Sequence, residues 1–360
     1  MENQNKNLRG LVRITAFILL CCILFVNLSY FAKPLFVFAK SYKHLRKEDV
    51  PIDVLFLGGS STLVYWSPML AFDRYGISSY NLSDSGMAPS LLLGLLEESI
   101  SVCDSKLYVI DLRAFENVET DSQMYNEWFY HTYTDSIPYS QNRIKMIEYA
   151  YQFADFEYSP LSAYVDFIYH HGEWRSWKSH FRGESSILLY KGCHMPRVLH
   201  DSVILNPYTE VTARQPLSED TVTILNDLLD FVEEKELSVL YLLNAYAFEN
   251  AQERAIYNSI FDILEERGAP YLDTNLYYEE MGLDGATDFY NINHVNAIGM
   301  EKYTNWLTRW LVERYELEDH RNDPRFASWH EDLPAFYEEF DAVKQEYWKQ
   351  IKEKEAASEG

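Results

Sequence analysis

The chain has few cysteines and shows no metal-ligand motif. Two of its four cysteines, Cys21 and Cys22, lie in one apolar run, which leaves Cys103 and Cys193 in the rest of the chain. That remaining pair is consistent with one disulfide and equally with two separate thiols. Six histidines lie between positions 131 and 200, and their spacing matches no zinc-ligand pattern, so we expect no metal site. They are His131, His170, His171, His180, His194 and His200.

Positive charge is also scarce. The sequence has 31 Lys and Arg against 55 Asp and Glu, a formal net charge of -24. Because binding to a phosphate backbone requires a surplus of Lys and Arg, this charge argues against a nucleic-acid partner. Eight of the basic residues fall in the first 50 positions, beside three acidic ones. A basic segment followed by an acidic body is typical of a protein tethered to a membrane.

Only one long hydrophobic run is present, and the sequence has neither an internal repeat nor a low-complexity tract. Residues 14–32 contain no charged side chain, and their length approaches the roughly 20 residues needed to cross a bilayer. We expect a tail at 1–13, a transmembrane anchor at 14–32 and a juxtamembrane linker at 33–51. A cleaved signal peptide is the main alternative, although the run is long and Tyr30 stands where a small residue should precede cleavage.

The orientation of this anchor does not follow from charge alone, because five basic residues follow the run and three precede it. A short basic tail usually stays in the cytoplasm, and long domains translocate largely regardless of their charge. We therefore expect a single-pass protein of the cell membrane with a cytoplasmic tail and an extracytoplasmic main domain.

From residue 52 the pattern alternates between strands and amphipathic helices. Continuous apolar runs typical of buried strands occupy residues 52–59, 106–112, 238–244 and 269–273. Helical periodicity occupies residues 90–101, 221–237 and 251–267. The alternation predicts an α/β fold in which a parallel sheet is covered by helices on both faces, three layers in all.

Two segments interrupt or extend this α/β domain, which we place at 52–317. Residues 121–216 are rich in Tyr, Trp and His and predict a helical insertion over the sheet. Such an insertion near the carboxyl ends of parallel strands would help to build a pocket. Residues 318–360 predict a charged extension with a helix at about 333–352.

Two glycines and two serines follow the first predicted strand in VLFLGGSST, residues 54–62. A serine just beyond the carboxyl end of a strand is held by a rigid scaffold. Adjacent glycines allow backbone N–H groups to approach a developing oxyanion. A plain turn between strand and helix is the alternative interpretation.

His294 lies in a predicted loop before a helix, near the end of the α/β domain. A neutral imidazole there could accept the proton of a serine hydroxyl about 3 Å away and return it to a leaving group. A hydrogen-bonded structural histidine is the alternative.

Together these two stretches resemble the SGNH or GDSL hydrolase superfamily, which implies a three-layer α/β/α, flavodoxin-like parallel sheet. The resemblance implies that Ser60 is the nucleophile, with Ser61 as the alternative because the register can shift by one in a GGSS string. The stretch YNLSDSGMAP at 80–89 is similar to the second block of the family. Gly86 occupies the position of the family's oxyanion-hole glycine. The resemblance therefore implies an oxyanion hole formed by the backbone N–H groups of Ser60 and Gly86.

The chain departs from the family pattern at its third block. The family supplies an asparagine in a Gly-x-Asn arrangement after the next strand. The stretch KLYVIDLRAFENVE instead offers Asp111, Arg113 and Asn117 without that arrangement. No residue of this block can be assigned from the sequence.

The last block of the family, Asp-x-x-His, is also altered, because Asn291 replaces the aspartate. Asn291 could orient the imidazole of His294 but could not offset the charge of an imidazolium. Three alternatives follow: Asp288 or Asp284 supplies the carboxylate, the site works as a weaker pair, or the site is inactive.

The layout is most similar to membrane-tethered bacterial members related to the D-alanyl lipoteichoic acid transfer protein. That resemblance implies a serine esterase or O-acyltransferase acting on acyl esters of a cell-envelope glycan or teichoic-acid-like polymer. It further implies a membrane-bound O-acyltransferase as partner and no metal or organic cofactor. A catalytically silent scaffold that binds the polymer is the alternative. A nucleotide-binding protein is disfavoured, because GGSST lacks the Lys and glycine spacing of a phosphate loop.

Overall fold

The computed structural model describes residues 2–120, 125–172 and 190–358. The segments 121–124 and 173–189, which contain His180 and part of the expected insertion, lie outside the described residues. The chain divides into two compact units, residues 1–36 with 157–186 and residues 37–156 with 187–360.

The first unit contains helix α1 (Glu2–Ala32) and two short helices, α9 (Pro160–Tyr164) and α10 (Asp166–His170). Residues Arg9–Ser29 of α1 form a segment long and apolar enough to span a bilayer. Its apolar side chains are largely exposed. Water is a poor solvent for such a surface, so the segment requires an apolar environment.

The second unit is built around five parallel strands in the order β2-β1-β3-β4-β5. In chain order, β1 to β5 are Val54–Gly58, Ser79–Ser83, Leu107–Asp111, Val239–Leu243 and Tyr271–Asp273. Four of them lie within the predicted strand segments, which confirms an α/β fold with a parallel sheet. The chain winds outward in both directions from β1 and β3, so their carboxyl ends border the crevice where ligands bind in open α/β sheets.

Strand β2 was absent from the prediction because it lacks an apolar run. Its polar side chains are buried instead, and two of them, Ser79 and Asn81, form hydrogen bonds. The Asn81 amide donates to the carbonyl oxygens of Thr62 and Trp66, both at 2.9 Å. Ser79 accepts the indole N–H of Trp66 at 2.9 Å. These bonds attach β2 to the segment that follows β1.

Helices connect and flank the strands of this unit. In chain order, α2 to α8 are Val37–Leu45, Ser60–Tyr65, Pro68–Tyr75, Leu92–Val102, Arg113–Thr120, Glu127–Thr134 and Gln141–Ala150. After α9 and α10 of the first unit, α11 to α15 are Glu219–Glu234, Ala251–Glu266, Tyr278–Met281, Ala297–Val312 and Ala327–Ser358. The three predicted helices correspond to α5, α11 and α12.

Two expected boundaries are corrected by burial. The segment 33–51 was expected to be a linker, yet α2 buries the side chains of Phe38, Tyr42 and Leu45 within the second unit. The extension 318–360 was expected to be helical only from about residue 333, whereas α15 begins at Ala327 and contains Pro334. One face of α15 is apolar and buried, so the extension is part of the core; its members are Phe336, Phe340, Val343, Tyr347 and Ile351.

The cysteines Cys103 and Cys193 are separate thiols. The Cys103 sulfur lies 3.3 Å from the Ser105 hydroxyl, and the Cys193 sulfur lies 3.9 Å from the sulfur of Met300. The sequence left a disulfide and two separate thiols open, and the structure contains two separate thiols.

Candidate functional site

Ser60 begins helix α3 directly after strand β1, at the carboxyl edge of the sheet. The turn that places it is crowded. A Cβ on Gly58 would lie 2.1 Å from the Thr62 hydroxyl and 2.6 Å from the Asp111 Cβ. Only glycine fits at position 58, so the glycine of the predicted nucleophile turn is required by packing. The Ser60 side chain is partly exposed, as a reacting hydroxyl must be.

His294 lies in a short antiparallel hairpin rather than in the irregular loop predicted. Strands β6 (Phe289–Asn291) and β7 (His294–Val295) are joined by a two-residue turn, and Asn291 is paired directly with His294. Side chains of directly opposed residues lie on the same face of an antiparallel ladder. The Asn-x-x-His spacing therefore places the amide and the imidazole side by side.

The hydroxyl of Ser60 and the imidazole of His294 form a hydrogen-bonded pair, with 2.7 Å between Oγ and Nε2. On the other side of the ring, Nδ1 lies 2.9 Å from the Oδ1 of Asn291. Two residues 234 positions apart in the chain are thus brought within reach of direct proton transfer.

The contacts of Asn291 fix the tautomer of His294. The backbone N–H of Asn293 also donates to Asn291 Oδ1, at 2.9 Å. A backbone N–H requires an acceptor, so this atom of the amide is the oxygen. His294 must then donate its Nδ1 proton to Asn291, which leaves the Nε2 lone pair to accept the Ser60 hydroxyl. This is the tautomer that a general base needs.

The surroundings of His294 oppose protonation of the ring. Burial, and secondarily the positive charge of Arg113, lower the pKa of His294 from its ordinary value of 6.5 to about 3. The neutral amide of Asn291 does not counter these effects. Tyr290 stacks parallel to the imidazole, with 5.3 Å between ring centroids and an angle of 2°. At neutral pH His294 is therefore an uncharged, firmly oriented acceptor.

Gly86 reaches the same site from the loop after β2. It has φ of +59°, and a Cβ there would lie 2.4 Å from the ring of Phe129, so glycine is required on two grounds. A Cβ built on Gly59 would lie 3.4 Å from the backbone nitrogen of Met87 and 3.8 Å from that of Gly86. Backbone nitrogens of this loop thus lie close to the nucleophile turn, where oxyanion donors would be needed.

Arg113 joins the site from the end of β3 and holds the hairpin turn. Its two Nη atoms donate to the backbone and side-chain oxygens of Asn293, at 3.1 and 2.9 Å. The Tyr65 hydroxyl donates to the same backbone oxygen at 3.1 Å. The guanidinium stacks on Tyr246 with its carbon 3.8 Å from the ring centre. The residue next to His294 is therefore fixed from two helices, α6 and α3.

Asp288 does not orient His294, and this alternative for the missing carboxylate is wrong. Its fully buried carboxylate contacts Lys302 at 2.6 Å and accepts the backbone N–H of Asp284 and the Thr287 hydroxyl, both at 2.8 Å. Asp284 is exposed and its carboxylate accepts the backbone N–H of Ala286. Both acidic side chains stabilise the loop before β6, and the group beside the imidazole is Asn291.

Ser61 is engaged elsewhere and lies apart from the imidazole. Its buried hydroxyl donates to Asp111, which also accepts the Thr62 hydroxyl at 3.4 Å and the backbone N–H of Arg113 at 3.1 Å. The geometry thus favours Ser60 over Ser61 as the reacting hydroxyl.

These side chains surround a small pocket of about 90 Å³. It contains the predicted Ser60, Gly86 and His294, and also the three polar residues after β3 that the sequence left unassigned. Asn117 among them donates to the Tyr125 hydroxyl at 3.2 Å. The sequence contained one indication that Arg113 could line the site, because this residue follows the carboxyl end of a predicted strand. The structure shows that this strand, β3, is adjacent to β1. The full lining is Gly59, Ser60, Ser61, Gly86, Met87, Asp111, Arg113, Ala114, Asn117, Tyr125, Asn293 and His294.

Comparison of the chain with protein-family models found no match, and comparison with curated proteins found no significant match. The functional argument therefore depends on the fold and on the geometry around Ser60.

Proposed function

We propose that the protein is a serine esterase or O-acyltransferase of SGNH type, acting on acyl esters of a cell-envelope glycan through Ser60 and His294. The observation that carries the proposal is the 2.7 Å contact between Ser60 Oγ and His294 Nε2, with Nδ1 held by Asn291. The strand order β2-β1-β3-β4-β5 supports it, because this is the order of flavodoxin-like doubly wound sheets.

The reaction would proceed in two half-steps. Ser60 Oγ attacks the acyl carbonyl carbon while its proton moves to His294 Nε2. The tetrahedral oxyanion is stabilised by the backbone N–H groups of Ser60 and Gly86. The bond to the alcohol then breaks, and that alcohol takes the proton back from His294. Water or a glycan hydroxyl attacks the Ser60 ester by the same route, which gives hydrolysis or transfer respectively.

The cellular setting follows from helix α1. Its segment Arg9–Ser29 is suited to a bilayer, and we propose that it anchors the chain with residues 37–360 outside the cytoplasm. The acyl acceptor would then be an envelope glycan or teichoic-acid-like polymer, and a membrane-bound O-acyltransferase would be a partner in the same membrane.

A catalytically silent scaffold is the second candidate, and one observation favours it. Asn291 is neutral, and the charge of Arg113 lowers the pKa of His294 further, so an imidazolium formed during attack would be poorly stabilised. Such a protein would keep the fold and bind an acylated polymer without forming an ester on Ser60.

Covalent labelling separates the two candidates. The full-length chain in detergent is treated with a fluorophosphonate, and the modified peptide is identified by mass spectrometry. An esterase gives one adduct on Ser60, which is lost in Ser60→Ala and falls at least about a hundredfold in rate in His294→Ala.

Ser61→Ala is the matched control, because it removes the neighbouring hydroxyl and leaves the pair of Ser60 and His294 intact. Labelling that persists in Ser60→Ala, or that never occurs on folded wild-type protein, would favour the scaffold.

A further inference from the structure

The pocket beside Ser60 limits the size of any acyl group bound there. At about 90 Å³ it is smaller than the roughly 150 Å³ of an engineered cavity that binds benzene. Two residues of its wall, Ala114 and Tyr125, are packed into the protein and each is 6% exposed. An acyl group of two or three carbons fits within this volume, whereas a longer chain would have to extend beyond it.

Arg113 gives this pocket a fixed positive charge. The residue is 8% exposed, and its Nη atoms are occupied by Asn293. Its Nε atom is buried and has no hydrogen-bond partner among the described residues. A guanidinium whose hydrogen bonds are incomplete keeps its positive charge beside the pocket, and that charge disfavours a ligand that brings another cation.

The nearby acidic groups do not cancel this charge at the reacting centre. Asp111 lines the pocket, and burial, only partly offset by its hydrogen bonds and by the charge of Arg113, raises the pKa of its carboxyl. Burial raises the pKa of Glu116 to about 7, so at neutral pH it is ionised only in part. Arg113 is the charged group that lowers the pKa of His294, and its charge opposes a second positive charge beside the imidazole.

We propose that Arg113 is a specificity-determining residue that restricts the site to short acyl groups without a positive charge, such as acetyl or propionyl, and rejects aminoacyl groups. The inference depends on the proposed esterase or acyltransferase function. It separates this chain from the aminoacyl transfer that the family resemblance would suggest. The discriminating atom is the substituent two bonds from the carbonyl carbon, where a methyl group and an ammonium group have the same size.

Two isosteric esters test the proposal on the full-length chain in detergent. Phenyl propionate and phenyl glycinate differ in one heavy atom, and at pH 6 the amine of the second is protonated. Phenol release gives kcat/KM for each, and each value is divided by the hydroxide-catalysed rate of the same ester. We expect the normalised kcat/KM for phenyl propionate to exceed that for phenyl glycinate at least thirtyfold. We expect it to exceed the normalised kcat/KM for phenyl octanoate at least tenfold. A ratio near one for either pair would overturn the proposal.

Variants at position 113 assign the effect. Arg113→Gln removes the charge and should reduce the propionate to glycinate ratio to about threefold, whereas Arg113→Lys should keep the ratio even where the rate falls. A ratio unchanged in Arg113→Gln would contradict the assignment to Arg113. Fluorophosphonate labelling of Ser60 is measured in parallel. If Ser60 is labelled but the enzyme does not discriminate between the esters, this inference alone is overturned. If wild-type protein is not labelled, both this inference and the proposed function are overturned.

Discussion

Asn291 is the residue that most alters the chemistry expected of the site. In a Ser-His-Asp site the carboxylate orients the imidazole and also stabilises its protonated form. Asn291 retains the first role, because its oxygen accepts the Nδ1 proton, and lacks the second. The imidazole is oriented toward Ser60 while the energy of its charged form is raised.

Restoring the carboxylate should therefore increase reactivity. In Asn291→Asp a negative charge beside Nδ1 favours the imidazolium, so the pKa of His294 rises from about 3 by about 1 to 3 pH units. We expect fluorophosphonate labelling at pH 7 to accelerate at least about tenfold.

The pH dependence of the same labelling supplies an independent readout. His294 must be neutral to accept the proton, so the rate falls as pH drops through its pKa. Wild-type labelling should be flat from pH 8 to 5, and in Asn291→Asp the acidic limb should move upward toward that range. Equal profiles in the two proteins, with no gain in rate, would mean that position 291 does not control the imidazole. Asn291→Ala, which removes the orienting oxygen, should be slower than wild type.

Ser61 illustrates a neighbouring hydroxyl with a structural role. Ser61→Ala removes a donor from the buried Asp111 carboxylate and should lower the free energy of unfolding by about 1 to 3 kcal/mol. Denaturant unfolding measures that loss, while the labelling of Ser60 should be retained. A stable Ser61→Ala protein that no longer labels would reverse the assignment of the two serines.

At the scale of elements, the hairpin of β6 and β7 is held by groups on both of its sides. Asn296 caps α14 by accepting the N–H groups of Ile298 and Gly299, and its amide donates to Thr287 and Phe289. Asp288 fixes the preceding loop through Lys302.

Asp288→Ala tests whether Asp288 stabilises the loop before β6. It leaves the Lys302 ammonium and two donors without their acceptor, and we expect a loss of about 3 kcal/mol in the free energy of unfolding. The matched control is Asp284→Asn, an exposed position, which should lose less than about 1 kcal/mol. Residual folded Asp288→Ala protein should label at Ser60 at nearly the wild-type rate. A large fall in labelling with unchanged stability would return Asp288 to the catalytic site.

The elements that the sequence predicted are those with a strong apolar pattern. Strands β1, β3, β4 and β5 have continuous apolar runs, and α11 and α12 have clear helical periodicity. Strand β2 was not predicted, because the Ser79 hydroxyl and the Asn81 amide N–H groups are buried against partners in the segment after β1, which no local pattern reveals.

The site was predictable to a similar extent. Ser60 and His294 were marked by their flanking motifs, whereas the contribution of Arg113 depends on the pairing of β1 with β3. The exclusion of Asp288 depends on the loop geometry that directs its carboxylate to Lys302. Both are tertiary facts that no local sequence pattern contains.

At the scale of the whole molecule, the question is which side of the membrane holds the site. Helix α1 carries an apolar segment, and an acidic body follows it. A polymer substrate of the envelope would be reached only if that body is outside. The native cysteines report poorly on this, because Cys193 is 1% exposed, Cys103 is only partly exposed, and Cys21 and Cys22 lie within α1.

An engineered thiol at an exposed loop decides the orientation. Glu210 is exposed and lies near the end of the predicted insertion, before α11. We expect Glu210→Cys to react with a membrane-impermeant maleimide in intact spheroplasts, and the wild-type chain to react much less under the same conditions. Labelling of Glu210→Cys only after lysis would place the body in the cytoplasm. The Ser60 site would then have to act on a cytoplasmic ester, because a single anchor cannot present one domain to both sides of a bilayer.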